Sequence, residues 1–287
     1  MNEHSTAGSM RPPGSSGKAR PAKGAFMHGS TPRPVSGLIY TGGKLVRNGG
    51  RSAGELRALE IVPHFISSAE GSVLIRLGET RVICTASMED GVPQFMKGSG
   101  RGWISSEYAM IPRATETRSP REVTRGRQGG RTLEIQRLIG RALRAVTNLE
   151  ALGERTAWID CDVIRADGGT RTASITGSLV ALGLACEKLV SLKVLHRSPL
   201  GDYLAAISVG IVGGETLLDL DYAEDSHAEV DMNVVMTGSG QLVEVQATAE
   251  GKPYSLADLN RLIELARPAI EKLIEAQRAL VTIGEKG

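Results

Sequence analysis

The stretch Ala166-Asp167-Gly168-Gly169-Thr170-Arg171-Thr172-Ala173-Ser174-Ile175-Thr176-Gly177 joins a strand-like segment, Ala157 to Arg165, to an almost wholly apolar, helix-like one, Ser178 to Leu189. A helix without a polar face is buried, so this junction predicts a strand feeding a core helix. The glycine pair lets the backbone turn tightly and approach a ligand closely. The residues after it open a helix whose first N–H groups lack intrahelical partners and attract anions. Arg171 stands at that positive helix end with no acid in the next four residues, a placement that an intervening anion would relieve. The junction therefore reads as a phosphate seat.

Upstream, Glu60–Ile66, Ser72–Leu77 and Thr80–Ser87 read as consecutive strands with turns at Glu70-Gly71 and Gly78-Glu79, and Gly102–Ile111 as a fourth. Leu133, Ile135, Leu138, Ile139, Leu143, Val146 and Leu149 fall at helical spacing, predicting an amphipathic helix over 132–149. Downstream, Leu204–Val212, Thr216–Tyr222, Glu229–Thr237 and Gln241–Ala249 read as strands. A last helix opens at Ser255-Leu256-Ala257-Asp258 and continues to about Val281, with Pro268 expected to kink or divide it. Strand runs closed by helices predict an α+β fold, mixed sheets backed by helices.

The 287 residues are 41% hydrophobic and 23% charged, ordinary for a globular protein, while an aromatic fraction of 3% argues against recognition built mainly on stacked rings. No apolar run approaches the ~20 residues of a membrane span, and the N-terminus lacks a secretory core. Cys84, Cys161 and Cys186 lie in apolar segments without a CxxC pair, which predicts reduced core thiols and a cytoplasmic setting. Residues 1–45 read as a disordered, basic Gly/Pro/Ser-rich tail, and 46–284 as a single folded domain. The tail carries six basic residues and one acid, Glu3; removing them from 34 basic and 32 acidic residues leaves 28 and 31. Attraction of the body to nucleic acid must therefore be local.

Three clusters could carry chemistry. Arg101, Arg113, Arg118, Arg121, Arg125, Arg127 and Arg131 face only Glu107, Glu116 and Glu122 across a breaker-containing loop. That loop is either a solvated basic segment or a nucleic-acid backbone contact, and arginine is the better side chain for planar phosphate recognition. Arg131 opens a helix, as Arg171 does, so two loop–helix junctions could converge on one phosphate; pairing with Glu134 is the competing explanation. The third cluster is Asp219, Asp221, Glu224, Asp225, Glu229 and Asp231. Strand alternation puts Asp231 with Glu229 and Asn233 on one face, and Asp225 can fold back toward it. Such oxygen ligands suit Mg2+ or Mn2+, although a solvated acidic loop has the same spacing. His227 reads as an exposed loop residue. No Walker-type loop, HExxH motif or nucleophilic triad is present, so an enzyme here needs a nucleophile brought by its substrate.

Gly71-Ser72-Val73-Leu74-Ile75, Gly102-Trp103-Ile104 with Glu107-Tyr108, Gly130-Arg131-Thr132 through Leu138-Ile139-Gly140-Arg141, Asp160-Cys161-Asp162-Val163-Ile164 through Thr176-Gly177, and Ala228-Glu229-Val230-Asp231-Met232-Asn233-Val234 together resemble the ribonuclease PH family of phosphate-dependent 3′-exoribonucleases. The resemblance spans roughly Arg51 to Val281. It implies a ribonuclease PH-like fold in which Arg131 and Gly169-Thr170-Arg171 bind inorganic phosphate as co-substrate. It also implies that Asp225 and Asp231 form the catalytic, metal-binding pair, and that Arg113, Arg118 and Arg121 contact tRNA. The implied activity is trimming of RNA 3′ ends, on tRNA precursors and rRNA, by a homo-hexamer built as a trimer of dimers. An exosome-type ring subunit, catalytic or RNA-binding only, is the alternative. The entry segment Arg47-Asn48-Gly49-Gly50-Arg51 departs from the family's Arg-x-Asp-Gly-Arg, which puts its local contacts in question.

Overall fold

The computed structural model of the chain describes residues 39–41 and 44–283. Its two main sheets both pack on one helix. In strands β5 (Thr80–Asp90) and β7 (Arg155–Arg165), every second residue from Val82 to Ala86 and from Ala157 to Val163 is buried. This is the pattern of a sheet covered on one side. These strands pair antiparallel, and β3 (Leu59–Pro63), β4 (Gly71–Leu77) and β6 (Trp103–Met110) complete a five-stranded sheet in the order β3-β4-β5-β7-β6. The β6–β7 pair is parallel, which makes the sheet mixed.

Strand β8 (Leu204–Val212) is buried along its whole length. Leu204 and Ala206 join the core under α3 (Thr170–Ser191), whereas Ala205, Ile207, Val209 and Ile211 join the core under α5 (Leu256–Arg278). A strand covered on both faces must be nearly continuously apolar, and this one is interrupted only by Ser208, whose hydroxyl accepts from the Leu220 N–H. It lies in a four-stranded antiparallel sheet, β11-β10-β8-β9, with β9 (Glu215–Leu218), β10 (Val230–Thr237) and β11 (Leu242–Ala249). Helix α3 packs on β4 and β5 from one side and on β8 from the other. It is long and apolar enough to cross a bilayer by composition, but most of it is buried between the sheets. Its approach to β4 is so close that a Cβ on Gly71 would stand 1.9 Å from the Ala181 carbonyl oxygen. Helix α1 (Gly130–Ala145) packs on β6 and α3, and the one-turn helix α2 (Leu149–Leu152) follows it.

The architecture is the expected α+β arrangement of mixed sheets and helices. Four local expectations are corrected. The tail reading ran too far: β1 (Ile39–Thr41) pairs antiparallel with β2 (Lys44–Val46), where β-forming Ile39, Tyr40, Leu45 and Val46 sit; the remainder of residues 1–45 lies outside the described residues. Strand β3 stops at Pro63 because His64 turns to φ 55°. The strand expected over 216–222 ends at Leu218, since Asp219 takes φ 54° and the chain then forms the one-turn helix α4 (Tyr222–Asp225). Pro268 does not divide α5: both Pro268 and Glu264, whose carbonyl loses its donor, lie on the exposed face, where water can replace the missing bond. The three cysteines are free and buried, as expected, and burial pushes the Cys186 thiol up to about 12.

Candidate functional site

Two helix N-termini and two carboxylates meet where the sheets adjoin. At α3 the N-cap is Gly169, in the left-handed region, with no side-chain cap and no acid in the first turn. Ala173 is the first residue whose N–H bonds back into the helix, to the Gly169 carbonyl, so Thr170, Arg171 and Thr172 present N–H groups without intrahelical partners. Gly168 and Gly169 both take positive φ, 71° and 65°. At Gly168 the close approach is to the protein itself: an added Cβ would meet the Leu220 carbonyl oxygen at 2.4 Å. Thr80 Oγ1 pins the turn, accepting from the Asp167 N–H at 2.9 Å and donating to the Gly168 carbonyl at 2.7 Å. Beneath it, the Tyr108 hydroxyl lies 2.8 Å from Thr170 Oγ1.

Helix α1 begins similarly, with Gly129 as an N-cap that supplies no side chain. Glu122 substitutes from the preceding loop, accepting from the Gly129 N–H and the Thr132 hydroxyl. Arg131 is exposed and, among the described residues, makes no hydrogen bond or ion pair. The expected alternative, a pair with Glu134, does not form. Glu134 instead lies 3.5 Å from Arg171, which also donates to Gln246 Oε1 at 2.5 Å.

The acidic cluster divides in two. Asp219, Asp221 and Glu224 are buried and neutralised by Arg47 and Arg51 of the entry segment and by Arg57 beyond it. Arg47 grips Glu224 through Nε at 2.6 Å and a second nitrogen at 2.8 Å, and Arg57 grips Asp219 at 2.9 and 2.7 Å. Arg51 faces all three acids, and Asn48 donates to Asp221 at 2.8 Å. The departure at Gly49 thus leaves the segment's contacts with α4 in place. Burial alone would lower the Arg57 guanidinium, but hydrogen bonds and charge from Asp219, with Asp167 and Asp221 behind, hold it above its ordinary value. These three acids of the cluster are structural and stand apart from Asp225 and Asp231, the pair expected to hold a metal. His227 is also not a free loop residue: half-buried, it places Nδ1 2.7 Å from the Ala223 carbonyl oxygen.

Asp225 and Asp231 are different. Burial raises both, and on Asp231 the charge of Asp225 adds to it, so that Asp231 reaches about 6. Arg131 and Arg171 lie close enough to lower both carboxylates, yet among the described residues neither arginine forms an ion pair with either one. Asp231 Oδ1 is buried without a hydrogen-bond partner. The β10–β11 register sets Asp231 opposite Thr248 and Asn233 opposite Gln246, so all four share a face. Among the described residues no group of three or more His, Cys, Asp or Glu gathers as a metal cage.

Arg113, Arg118 and Arg121 are exposed on the β6–α1 loop and stay outside this cluster. The loop is clipped beside the Gly168–Gly169 turn by the Ala166 N–H donating to the buried Ala114 carbonyl at 2.8 Å. Arg113 there lines a cleft of about 890 Å³ with Arg81, Arg165, Asp167 and Tyr222.

Residue patterns alone do not reveal Arg57, Glu122, Gln246 or the hydroxyl contact of Tyr108. The one signal is negative: a helix beginning with Arg171 and no nearby acid must find its compensation in tertiary structure.

Comparison with known proteins shows the family. The 3′ exoribonuclease family matches in two parts, its domain 1 over residues 55–186 and its domain 2 over residues 202–269. The chain belongs to the 3′ exoribonuclease family of ribonuclease PH-like proteins. Among solved structures it is similar to the Archaeoglobus fulgidus exosome with RNA bound to the active site, at 24% identity and TM-score 0.69, covering 80% of this chain and 92% of that one. It is also similar to rice (Oryza sativa) Rrp46, at 19% identity and TM-score 0.66, covering 81% and 98%. An archaeal exosome core matches at 22% identity and TM-score 0.66, covering 81% and 91%. At these identities the structures establish the shared fold.

Proposed function

We propose that this 3′ exoribonuclease family member is a phosphorolytic enzyme that transfers the terminal nucleotide of RNA to inorganic phosphate. The observation that carries the reading is the convergence of Arg131 and Arg171, each at a helix start whose N-cap is glycine, on two carboxylates with which they do not pair. Two cations and free N–H groups suit a small dianion. Two carboxylates left unpaired beside them suit a divalent cation.

Asp225 and Asp231 fit Mg2+ or Mn2+. The partnerless Oδ1 of Asp231 calls for a positive partner, and Mg2+ takes one or two carboxylates together with substrate phosphates and water. When bound, such an ion supplies charge stabilisation to the transferring phosphoryl group. The chain's own groups do the rest. Arg131, Arg171, Thr170 and the α3 N–H groups, with Gly169 holding the turn, fix inorganic phosphate against the last phosphodiester, replacing a chance encounter with a positioned one. A phosphate oxygen forms the new bond to phosphorus as the bond to the preceding 3′ oxygen breaks. That oxygen leaves with a proton, and the product is a nucleoside diphosphate. Reversal extends RNA. Arg113, Arg118 and Arg121 are exposed near the turn and suit the RNA backbone of a tRNA precursor or rRNA 3′ end. A homo-hexameric ring, a trimer of dimers, would gather six such loops.

Purified protein given a tRNA precursor and Mg2+ is expected to release nucleoside diphosphates only when phosphate is added. Nucleoside monophosphates released without phosphate would overturn the proposal in favour of hydrolysis. The exosome likeness favours a second reading, a ring subunit that binds RNA without cleaving it. Arg131, Arg171, Asp225 and Asp231 are the groups that reading has no use for, and all four are here. It predicts no turnover unless a related second chain is added.

A further inference from the structure

We propose that Glu134 and Gln246 are positioning residues that hold Arg171 in its phosphate-binding pose and keep it from collapsing onto the carboxylates. The proposal rests on Arg171 being a phosphate ligand. Its guanidinium lies near two carboxylates with which it forms no ion pair. An arginine so placed, with nothing restraining it, closes the gap, and one contact then consumes both the anion site and the cation site.

The restraint is a relay across two elements. Gln246 on β11 accepts from Arg171 at 2.5 Å through Oε1, and its Nε2 donates to Glu134 on α1. The polarity of this amide follows from chemistry. An ionised carboxylate only accepts, so Glu134 must face the NH2 group, which leaves the amide oxygen for Arg171. Glu134 itself makes a long ion pair with the same terminal nitrogen, at 3.5 Å. The neutral amide supplies the short contact and so fixes the fork's direction, whereas a carboxylate at that distance would compete more strongly with phosphate for the guanidinium. Arg171 is largely buried, and only one of its terminal nitrogens is engaged by the relay, so the other faces of the fork remain for an anion.

The test is steady-state kinetics on the full chain, with inorganic phosphate and RNA varied separately. Gln246→Leu is expected to raise KM for phosphate about tenfold or more, in keeping with loss of one hydrogen bond to a charged group, while KM for RNA stays within about twofold. Gln246→Glu is expected to raise it at least as far. Glu134→Gln keeps an acceptor for the amide and should cost less than Glu134→Leu. Both positions are partly exposed, and calorimetric titration of RNA-free protein with inorganic phosphate should rank the variants in the same order. A Gln246→Leu protein with wild-type KM for phosphate, or with both KM values raised alike, would overturn the relay. If the wild-type protein needs no phosphate, the phosphorolytic reading fails instead; if it needs phosphate and Gln246→Leu is unaffected, that reading stands and only the relay falls.

Discussion

Asp231 carries a cost that its neighbours do not remove. Its carboxylate is held at about 6 by burial and by the charge of Asp225, against 3.8 for a free aspartate, and one of its oxygens has no donor. A native pKa raised above the unfolded one means that the folded state binds the proton more tightly. The destabilisation is therefore full above about pH 6 and fades as pH falls toward 4. Asp231→Asn should accordingly raise stability at pH 7 by about 1–3 kcal/mol while abolishing turnover. In chemical denaturation the gain should shrink as pH falls through 6. A variant less stable than wild type at pH 7, or a gain independent of pH, would count against the unpaired-charge account. At this scale the sequence singles out Arg131 and Arg171 because positive charge at a helix start breaks a local rule. Spacing alone groups Asp231 with Asp219; strand alternation and the family resemblance are what single out Asp231 with Asp225. Only the fold sets Arg57 against Asp219 and leaves Asp231 without a partner.

At the scale of elements, the turn between β7 and α3 joins three parts of the chain. Thr80 of β5 ties its backbone, Arg57 donates to the Asp167 carbonyl, and the Leu220–Asp221 backbone passes directly against Gly168. Gly168→Ala combines a φ of 71° with a backbone oxygen 2.4 Å from the new Cβ, so a loss of about 2–4 kcal/mol is expected. Gly49→Ala has the same φ but nothing within 4 Å, and should lose only about 1 kcal/mol. Equal losses in equilibrium unfolding would show that the contact with Leu220 does not matter. Periodicity made the strands and long helices legible, since β5 and β7 alternate and α1 repeats its apolar face. The one-turn helices α2 and α4 carry too few residues to show a period. The end of β9 at Asp219 depends on a partner far away in sequence, and such partners leave no local trace.

Across the whole molecule, one apolar helix serves two sheets, and that arrangement delivers the site. Helix α3 packs on β4 and β5 on one side and β8 on the other, so its N-terminus emerges where β10 and α4 bring their carboxylates. Arg131 arrives from α1, which packs on the same helix. The family's two domains each supply half: the arginines come from the first match and the aspartates from the second. The strand–turn–helix junction around Gly168 and Gly169 disclosed this plan in outline, because a wholly apolar helix has to be covered on all sides. If the turn holds the nucleophile, isotopic labelling will follow that nucleophile into the product. With 32P-labelled inorganic phosphate, Mg2+ and unlabelled RNA, the label should appear in the β-phosphate of the released nucleoside diphosphates, and Arg171→Ala should sharply reduce it. Release of unlabelled nucleotides would contradict the account.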